Sequence, residues 1–334
     1  MAGTLDRRTF LRQSFAFSAL AVGVRSLPAL AASPDSNAKH LLLLGDWGWQ
    51  DDLIGQTATA QQMVKYAQSH KLKTEALFML GDSRYGPMPG GIHDPRWKTQ
   101  FEDMYPRSAF DCPIYSIMGN HDYQHMPPGV TKTEMELAYA KQPGTRWNQP
   151  ALWYSFQFPQ KNPLVTVIAL DSNVPNGPIK GANFTLTLDQ QAEQLKWFAA
   201  ELAKPRTTPF VVVMGHHPIF SNGPHGDHKI LIAEWEPLLR QHKVDFYLAG
   251  HDHDLQHLEF EGHPTSFVCS GAGGADLYDL KIPESQRGPY AEKVYGFSHM
   301  ELASDRITIR HIAADGRIVH AFSKTSSGVV TVGT

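Results

Sequence analysis

The chain has 334 residues, two of them cysteine, and 30 Lys and Arg stand against 33 Asp and Glu for a formal net charge of −3. That balance excludes a nucleic-acid binder working through phosphate neutralisation, and 42% hydrophobic, 10% aromatic and 19% charged residues exclude the disordered, collagen-like and disulfide-framework classes. The outlying count is 17 histidines, the side chain most used to ligate transition metals and the one whose proton moves most easily near neutral pH.

Residues 5–12 read Leu-Asp-Arg-Arg-Thr-Phe-Leu-Arg, with Arg7 and Arg8 ahead of a modestly apolar stretch over 14–24 and small residues at Ala29 and Ala31. This order of regions is similar to a cleaved twin-arginine signal peptide over residues 1–31, which implies the twin-arginine export machinery as a partner and a periplasmic or secreted bacterial location. The apolar run is too short to span a bilayer, no later stretch is apolar for long enough, and no Cys near the cleavage site can take a lipid. No stable membrane association is therefore expected. Cys112 and Cys269 either pair in an oxidising compartment or stay as free buried thiols.

No repeat, charge block or low-complexity linker divides the remaining chain, so a single domain is expected over 39–323, with a C-terminal tail over 324–334. Short apolar runs at 41–44, 76–80, 114–118, 165–170, 210–214 and 246–249 have the length and the β-branched or aromatic content of buried strands. Between them, 57–69, 95–104, 133–141, 188–203 and 229–242 suit helices; in 188–203, apolar residues at 188, 192, 195, 198, 199 and 202 follow one helical face. Strand then helix, repeated, implies an α/β sheet. From Leu255 onward, strand-like 265–269, 296–302, 307–312 and 318–322 with little helix between them suggest a second, more antiparallel sheet.

Five of the apolar runs end in polar tips: Gly45-Asp46-Trp47-Gly48, Gly81-Asp82-Ser83-Arg84-Tyr85, Gly119-Asn120-His121-Asp122, Gly215-His216-His217-Pro218 and Gly250-His251-Asp252-His253. Loops at the carboxyl ends of α/β strands converge on one crevice, and a glycine at each exit permits a sharp turn, so short Asp, Asn and His side chains can reach a shared centre. One such tip is most often an ordinary turn. Five in this order, each carrying a ligand type, point to a metal cage.

These five blocks resemble the calcineurin-like metallophosphoesterases and, in detail, the small single-domain purple acid phosphatases of the tartrate-resistant type. Secondary matches are Phe101-Glu102-Asp103, Pro224-His225-Gly226, Asp254-Leu255-Gln256 and Ser270-Gly271-Ala272-Gly273. The resemblance implies an α/β, four-layer metallophosphoesterase fold, two mixed β-sheets packed face to face and flanked by helices. Where the broader superfamily carries Asp-x-His, Asp46 is followed by Trp47-Gly48; Tyr85, three residues after Asp82, matches the tyrosinate ligand of the purple enzymes and fills that gap. Residue by residue, the resemblance implies one metal on Asp46, Asp82, Tyr85 and His253 and a second on Asp82, Asn120, His216 and His251, with Asp82 bridging. The hard, anionic first set suits Fe3+, and the second, with two imidazoles and an amide, suits Fe2+, Zn2+ or Mn2+. Three anionic ligands against charges of +3 and +2 leave an excess of about +2 for a phosphate and a hydroxide.

The function so implied is a binuclear metal-dependent acid phosphatase, a phosphoric monoester hydrolase. It would act on a small phosphorylated substrate by in-line attack of a metal-bound hydroxide, with His121 and His225 orienting the ester and assisting the leaving group. His217 stands where the small purple enzymes usually carry Tyr and is not counted as a ligand. Asp252 and Asp254 either orient the flanking imidazoles or are solvated turn carboxylates. Trp47, Trp49, Arg84 and the loop 88–93 are expected to line the mouth. A phosphodiesterase or nucleotidase on the same metal core, and a non-catalytic iron- or phosphate-binding protein, remain the competing readings.

Overall fold

The computed structural model describes residues 33–49, 51–126, 130–175 and 185–333; the signal-like segment with Arg7 and Arg8 lies outside them. In chain order the first strands and helices are β1 (Lys39–Leu44), α1 (Ile54–Ser69), β2 (Thr74–Met79), β3 (Ile114–Ser116), β4 (His125–Met126), β5 (Val130–Thr131) and α2 (Lys132–Tyr139). Next come β6 (Trp147–Asn148), β7 (Tyr154–Phe158), β8 (Val165–Ala169), α3 (Leu188–Leu202), β9 (Phe210–Met214), α4 (Lys229–Glu234), α5 (Glu236–Gln241) and β10 (Phe246–Ala249). The remainder is strand: β11 (Leu255–Leu258), β12 (Ser266–Ser270), β13 (Pro289–Glu292), β14 (Gly296–Leu302), β15 (Arg306–Ala313), β16 (Ile318–Thr325) and β17 (Val330–Val332).

β1 shows why the apolar runs fold as they do. Leu41 and Leu43 face one way, into a core shared with Val167, Val212 and Leu248 of the other sheet; Leu42 and Leu44 face the opposite way, onto Ala60 and Met63 of α1. A strand covered on both faces has no polar side to present, which is why it reads as uninterrupted leucine. The second sheet repeats the pattern, with Ile168, Val213 and Tyr247 packed on Phe198, Leu231 and Leu239 of α3, α4 and α5. Helix, sheet, sheet, helix is thus the four-layer order, with the largest core between the sheets.

One sheet has the order β17-β16-β15-β14-β1-β2-β3-β6 and the other β13-β11-β12-β10-β9-β8-β7. Each has a run of parallel strands, β1-β2-β3-β6 or β8-β9-β10-β12; the first sheet is antiparallel on the β14 side only, the second at both edges. This corrects the expectation that the C-terminal strands form a sheet of their own: β14 pairs with β1 and β12 with β10, so the tail extends both sheets. Within the expected tail over 324–334, Lys324 and Thr325 complete β16 and residues 330–332 add β17 beside it. The helix expected over 229–242 breaks at Trp235, because Pro237 at the start of α5 has no N–H for the helical ladder. The one expected over 95–104 shrinks to a π-helical turn, Trp97–Glu102. α3 starts at a capping box in which Thr187 and Gln190 satisfy each other's backbone N–H. Among the described residues no helix is long and apolar enough to cross a membrane.

Candidate metal centre

The parallel strands β1, β2 and β3 of one sheet and β9 and β10 of the other deliver Asp46, Asp82, Asn120, His216 and His251 from their carboxyl ends to one place. The turns are tight. Asp46, Asp82 and His251 have φ of 59°, 48° and 69°, the left-handed region that side chains with a Cβ avoid. Such strain persists only where the surroundings enforce it, and here it re-aims three side chains just beyond their strand exits. The glycines make room: a Cβ on Gly119 would lie 2.2 Å from Asp82 Oδ1, and one on Gly250 2.5 Å from Asp46 Oδ2.

On one side of the centre the Tyr85 hydroxyl donates to Asp46 Oδ1 at 3.2 Å and lies 3.1 Å from His253 Nε2, itself 3.5 Å from the same Asp46 oxygen. On the other, His216 Nε2 lies 3.4 Å from Asp82 Oδ2 and 3.2 Å from Asn120 Oδ1, and ligand atoms of Asp82, His216 and His251 fall within 4.8 Å of one another. His216 Nε2 is also 3.9 Å from Asp46 Oδ1, which joins the two groups. Ligand atoms about 2.0–2.2 Å from one ion stand roughly 3–4.5 Å apart, so both spacings are ones a metal spans.

Two imidazoles have their tautomers set from behind. Nδ1 of His216 donates to the Leu80 carbonyl at 2.8 Å and Nδ1 of His253 to the Asp276 carbonyl at 2.5 Å, which aims each Nε2 at the centre, where its lone pair would serve a metal in place of a proton. Tyr278 stacks on the His253 ring at 4.0 Å. Burial disfavours a charged His216, but Asp82 and Asp46 outweigh it and lift its pKa to about 10. Burial likewise opposes ionisation of Asp82, and His216 then holds its carboxyl well below the usual range. The buried carboxylates draw in positive charge, which in the protein alone only protons can supply. Burial, then Asp82 and Asp46, raises the Tyr85 phenol well above its ordinary value, so only a strong Lewis acid could hold it as phenolate. Two carboxylates, a phenol, an amide and three imidazoles, all aimed inward, fit a pair of cations.

Around this core lie the two histidines expected to meet substrate. His225, its side chain 43% exposed, puts its ring 4.1 Å from His251, and its Nδ1 is 2.6 Å from Asp252 Oδ1, a buried carboxylate also bound by Ser221 Oγ. The His121 ring lies tilted against the Tyr85 ring, centroids 4.2 Å apart, and its backbone N–H donates to Asp82 Oδ1 at 2.7 Å. His217 takes Ser172 as its Nδ1 partner at 2.8 Å, and burial, then His216 and His228, keeps it neutral.

A comparison with protein families matches residues 39–255 to the calcineurin-like phosphoesterase model, which spans all five strand tips. The chain belongs to the calcineurin-like phosphoesterases. Within that family it is of the tartrate-resistant, purple acid phosphatase type: it is 32% identical over 317 residues to human tartrate-resistant acid phosphatase type 5, covering 87% of this chain and 92% of that protein. Among solved structures, GAP50, "the anchor in the inner membrane complex of Plasmodium", superposes with a TM-score of 0.72 at 21% identity over 85% of this chain and 87% of that one. The purple acid phosphatase PPD1 of yellow lupin does so with a TM-score of 0.63 at 16% identity, over 87% of this chain and 54% of that one. Both likenesses concern the fold.

The seven expected ligands and both expected substrate histidines of this calcineurin-like phosphoesterase therefore meet in one place. Trp47 and Arg84 do not line the mouth. Both are fully buried, the Arg84 guanidinium lying 4.4 Å from the Trp47 ring and 4.5 Å from Trp97; Trp49 does reach the centre, its ring 4.8 Å from Tyr85. Asp254 turns away to Gln256, whereas Asp252 orients His225. Both cysteines are free and buried. Sequence reasoning missed Asp122, whose carboxylate accepts from the backbone N–H groups of Gly119 at 2.8 Å, Ser83 at 3.0 Å and Arg84 at 3.2 Å, fastening the second strand tip to the third. Its place next to His121 at the Gly-Asn-His-Asp tip was the only available signal.

Proposed function

We propose that this phosphoesterase is a binuclear metal-dependent acid phosphatase hydrolysing phosphate monoesters. Asp46, Asp82, Tyr85 and His253 would hold Fe3+, and Asp82, Asn120, His216 and His251 would hold Fe2+, Zn2+ or Mn2+, with Asp82 shared. The reading rests on one observation above the others, the convergence of the Tyr85 hydroxyl on Asp46 and His253 beside the Asp82–His216–His251 group. When bound, the ions supply Lewis-acid stabilisation of phosphoryl oxygen charge and acidify water for attack. The chain's own groups do the rest. His121 and His225 stand on either side of the ligand cluster, where an ester's bridging oxygen can take a hydrogen bond or a proton from an imidazole. Asp252, bonded to Nδ1 of His225, fixes the orientation of that ring.

The test is hydrolysis of a generic aryl phosphate from acid to alkaline pH by the iron-loaded protein beside its Asp82→Ala variant. Activity peaking on the acid side and lost in the variant supports the reading, whereas an alkaline optimum contradicts the Tyr85–iron assignment. Export by the twin-arginine route belongs to the same proposal and is supported by Arg7 and Arg8 ahead of the apolar stretch. Changing both to Lys should leave the full-length chain in the cytoplasm, and unchanged export of that variant contradicts it.

A further inference from the structure

Lys132 opens α2, far in sequence from every strand tip of the second sheet and 46 residues or more beyond the loop it touches, and its side chain is fully buried. A buried ammonium is expensive to desolvate and is ordinarily paired with a carboxylate. Here its three N–H groups go to neutral oxygens: the Arg84 carbonyl at 2.5 Å, the Gly86 carbonyl at 3.0 Å and Gln124 Oε1 at 3.1 Å. The opposite charges nearest in effect, Asp122 and Glu136, act on it through space, and burial brings its pKa down only to about 8, so it remains a cation in the acid range. Arg84 and Gly86 flank Tyr85, and Arg96 takes the Tyr85 carbonyl between them at 2.7 Å. Three successive carbonyls are thus gripped by two cations, which leaves the Tyr85 ring little freedom to leave the centre.

The third bond has a sharper consequence. A lysine can only donate, so the Gln124 oxygen must face Lys132 and the Gln124 NH2 must face Nδ1 of His121, 2.6 Å away. An NH2 can only donate in turn, so His121 Nδ1 accepts and the neutral ring carries its proton on Nε2.

We propose that Lys132 and Gln124 are positioning residues, a relay that sets His121 with its proton on Nε2 while the same ammonium clamps the loop carrying Tyr85. The inference rests on the phosphatase reading for its catalytic meaning, but the tautomer can be measured without turnover. The experiment is a long-range 1H–15N spectrum of histidine-labelled, metal-free full-length protein at neutral pH or above, with His121 assigned from a His121→Gln variant. Wild type should show the Nε2–H form. In Gln124→Glu the carboxylate still meets Lys132 but can only accept from the ring, so the proton should move to Nδ1. In Lys132→Met the amide is free to turn, both tautomers should appear, and amide hydrogen exchange over 84–88 should quicken, as it should not in Gln124→Glu. If Lys132→Met does not fold, Gln124→Glu alone decides. An Nδ1–H form in wild type, or no change of tautomer in Gln124→Glu, overturns the relay. Absence of turnover with the tautomers as described overturns the phosphatase reading instead. With turnover present, kcat for the aryl phosphate should fall about tenfold or more in Gln124→Glu with KM little changed, the size usual for partners that orient a site residue; an unchanged kcat removes the relay's catalytic role.

Discussion

The Tyr85 hydroxyl lies 3.1 Å from Nε2 of His253, although Tyr85 follows β2 of one sheet and His253 follows β10 of the other. The contact closes the crevice between the sheets at the point where the proposed iron would sit. Tyr85→Phe keeps the ring and removes only the oxygen. The iron-loaded wild type should absorb visible light through phenolate-to-Fe3+ charge transfer; the variant should lose that band and bind its first ion about tenfold or more weakly. Titration followed by absorbance checks both, and a band unchanged in the variant would assign the phenolate elsewhere.

Asp122→Asn should damage the site without touching a ligand. The amide keeps one acceptor oxygen where the carboxylate uses both for three backbone N–H groups. Leaving a buried N–H unpaired costs about 1–3 kcal/mol, and turnover should fall about 10–100-fold as the second and third strand tips separate. Denaturant unfolding and steady-state kinetics read the two effects.

Asp252→Asn should act chiefly on His225, since an amide oxygen can still accept from Ser221. The carboxylate lies 2.6 Å from Nδ1 and holds the ring in place. An amide there orients the ring less firmly and should lower kcat about 10–100-fold, while metal content stays the same. Equal kcat at every pH would remove His225 from the leaving-group role.

A third group of histidines, away from the crevice, makes stability decline as the solution is acidified. His257, His311 and His320 are buried among β11, β15 and β16, with His257 Nδ1 3.0 Å from His320 Nε2. Burial, then neighbouring positive charge, lowers all three, His320 to about 3. Their folded pKa values lie below the ordinary 6.5, so the unfolded chain takes up protons first as pH falls. The stability their neutral forms contribute is present above about pH 6.5 and is lost as pH falls below it, for His320 down to about pH 3 and by up to about 1.4 kcal/mol per pH unit. His320→Phe should flatten this decline. Thermal unfolding at matched metal loading between pH 7 and 4 checks it, and an unchanged slope would show that these rings take protons while folded.

Much of the centre was legible because each ligand sits within a few residues of a strand end, where local pattern and turn chemistry act together. Gly119 and Gly250 are readable as close approaches for that reason, and the structure puts Asp82 and Asp46 against them. Lys132 was not legible, since its partners Arg84 and Gly86 lie 48 and 46 residues away and nothing local marks a lysine on a helix as buried. Trp47 and Arg84 were misplaced at the mouth because the left-handed turns at Asp46 and Asp82 redirect the chain just ahead of them, and both side chains end up inside, a reversal that composition does not encode. The division of the C-terminal strands between two sheets follows from long-range pairing of β14 with β1, a contact that period and propensity do not specify.

The claim on which the rest depends is that one set of side chains holds two ions through a shared Asp82. The direct measurement is the number of metal ions per folded chain, by elemental analysis of purified wild type and Asp82→Ala after loading with iron and zinc and removal of the excess. The account predicts two ions in wild type and at most one, weakly retained, in the variant. Saturation of wild type at a single ion, or retention of both by Asp82→Ala, would contradict it.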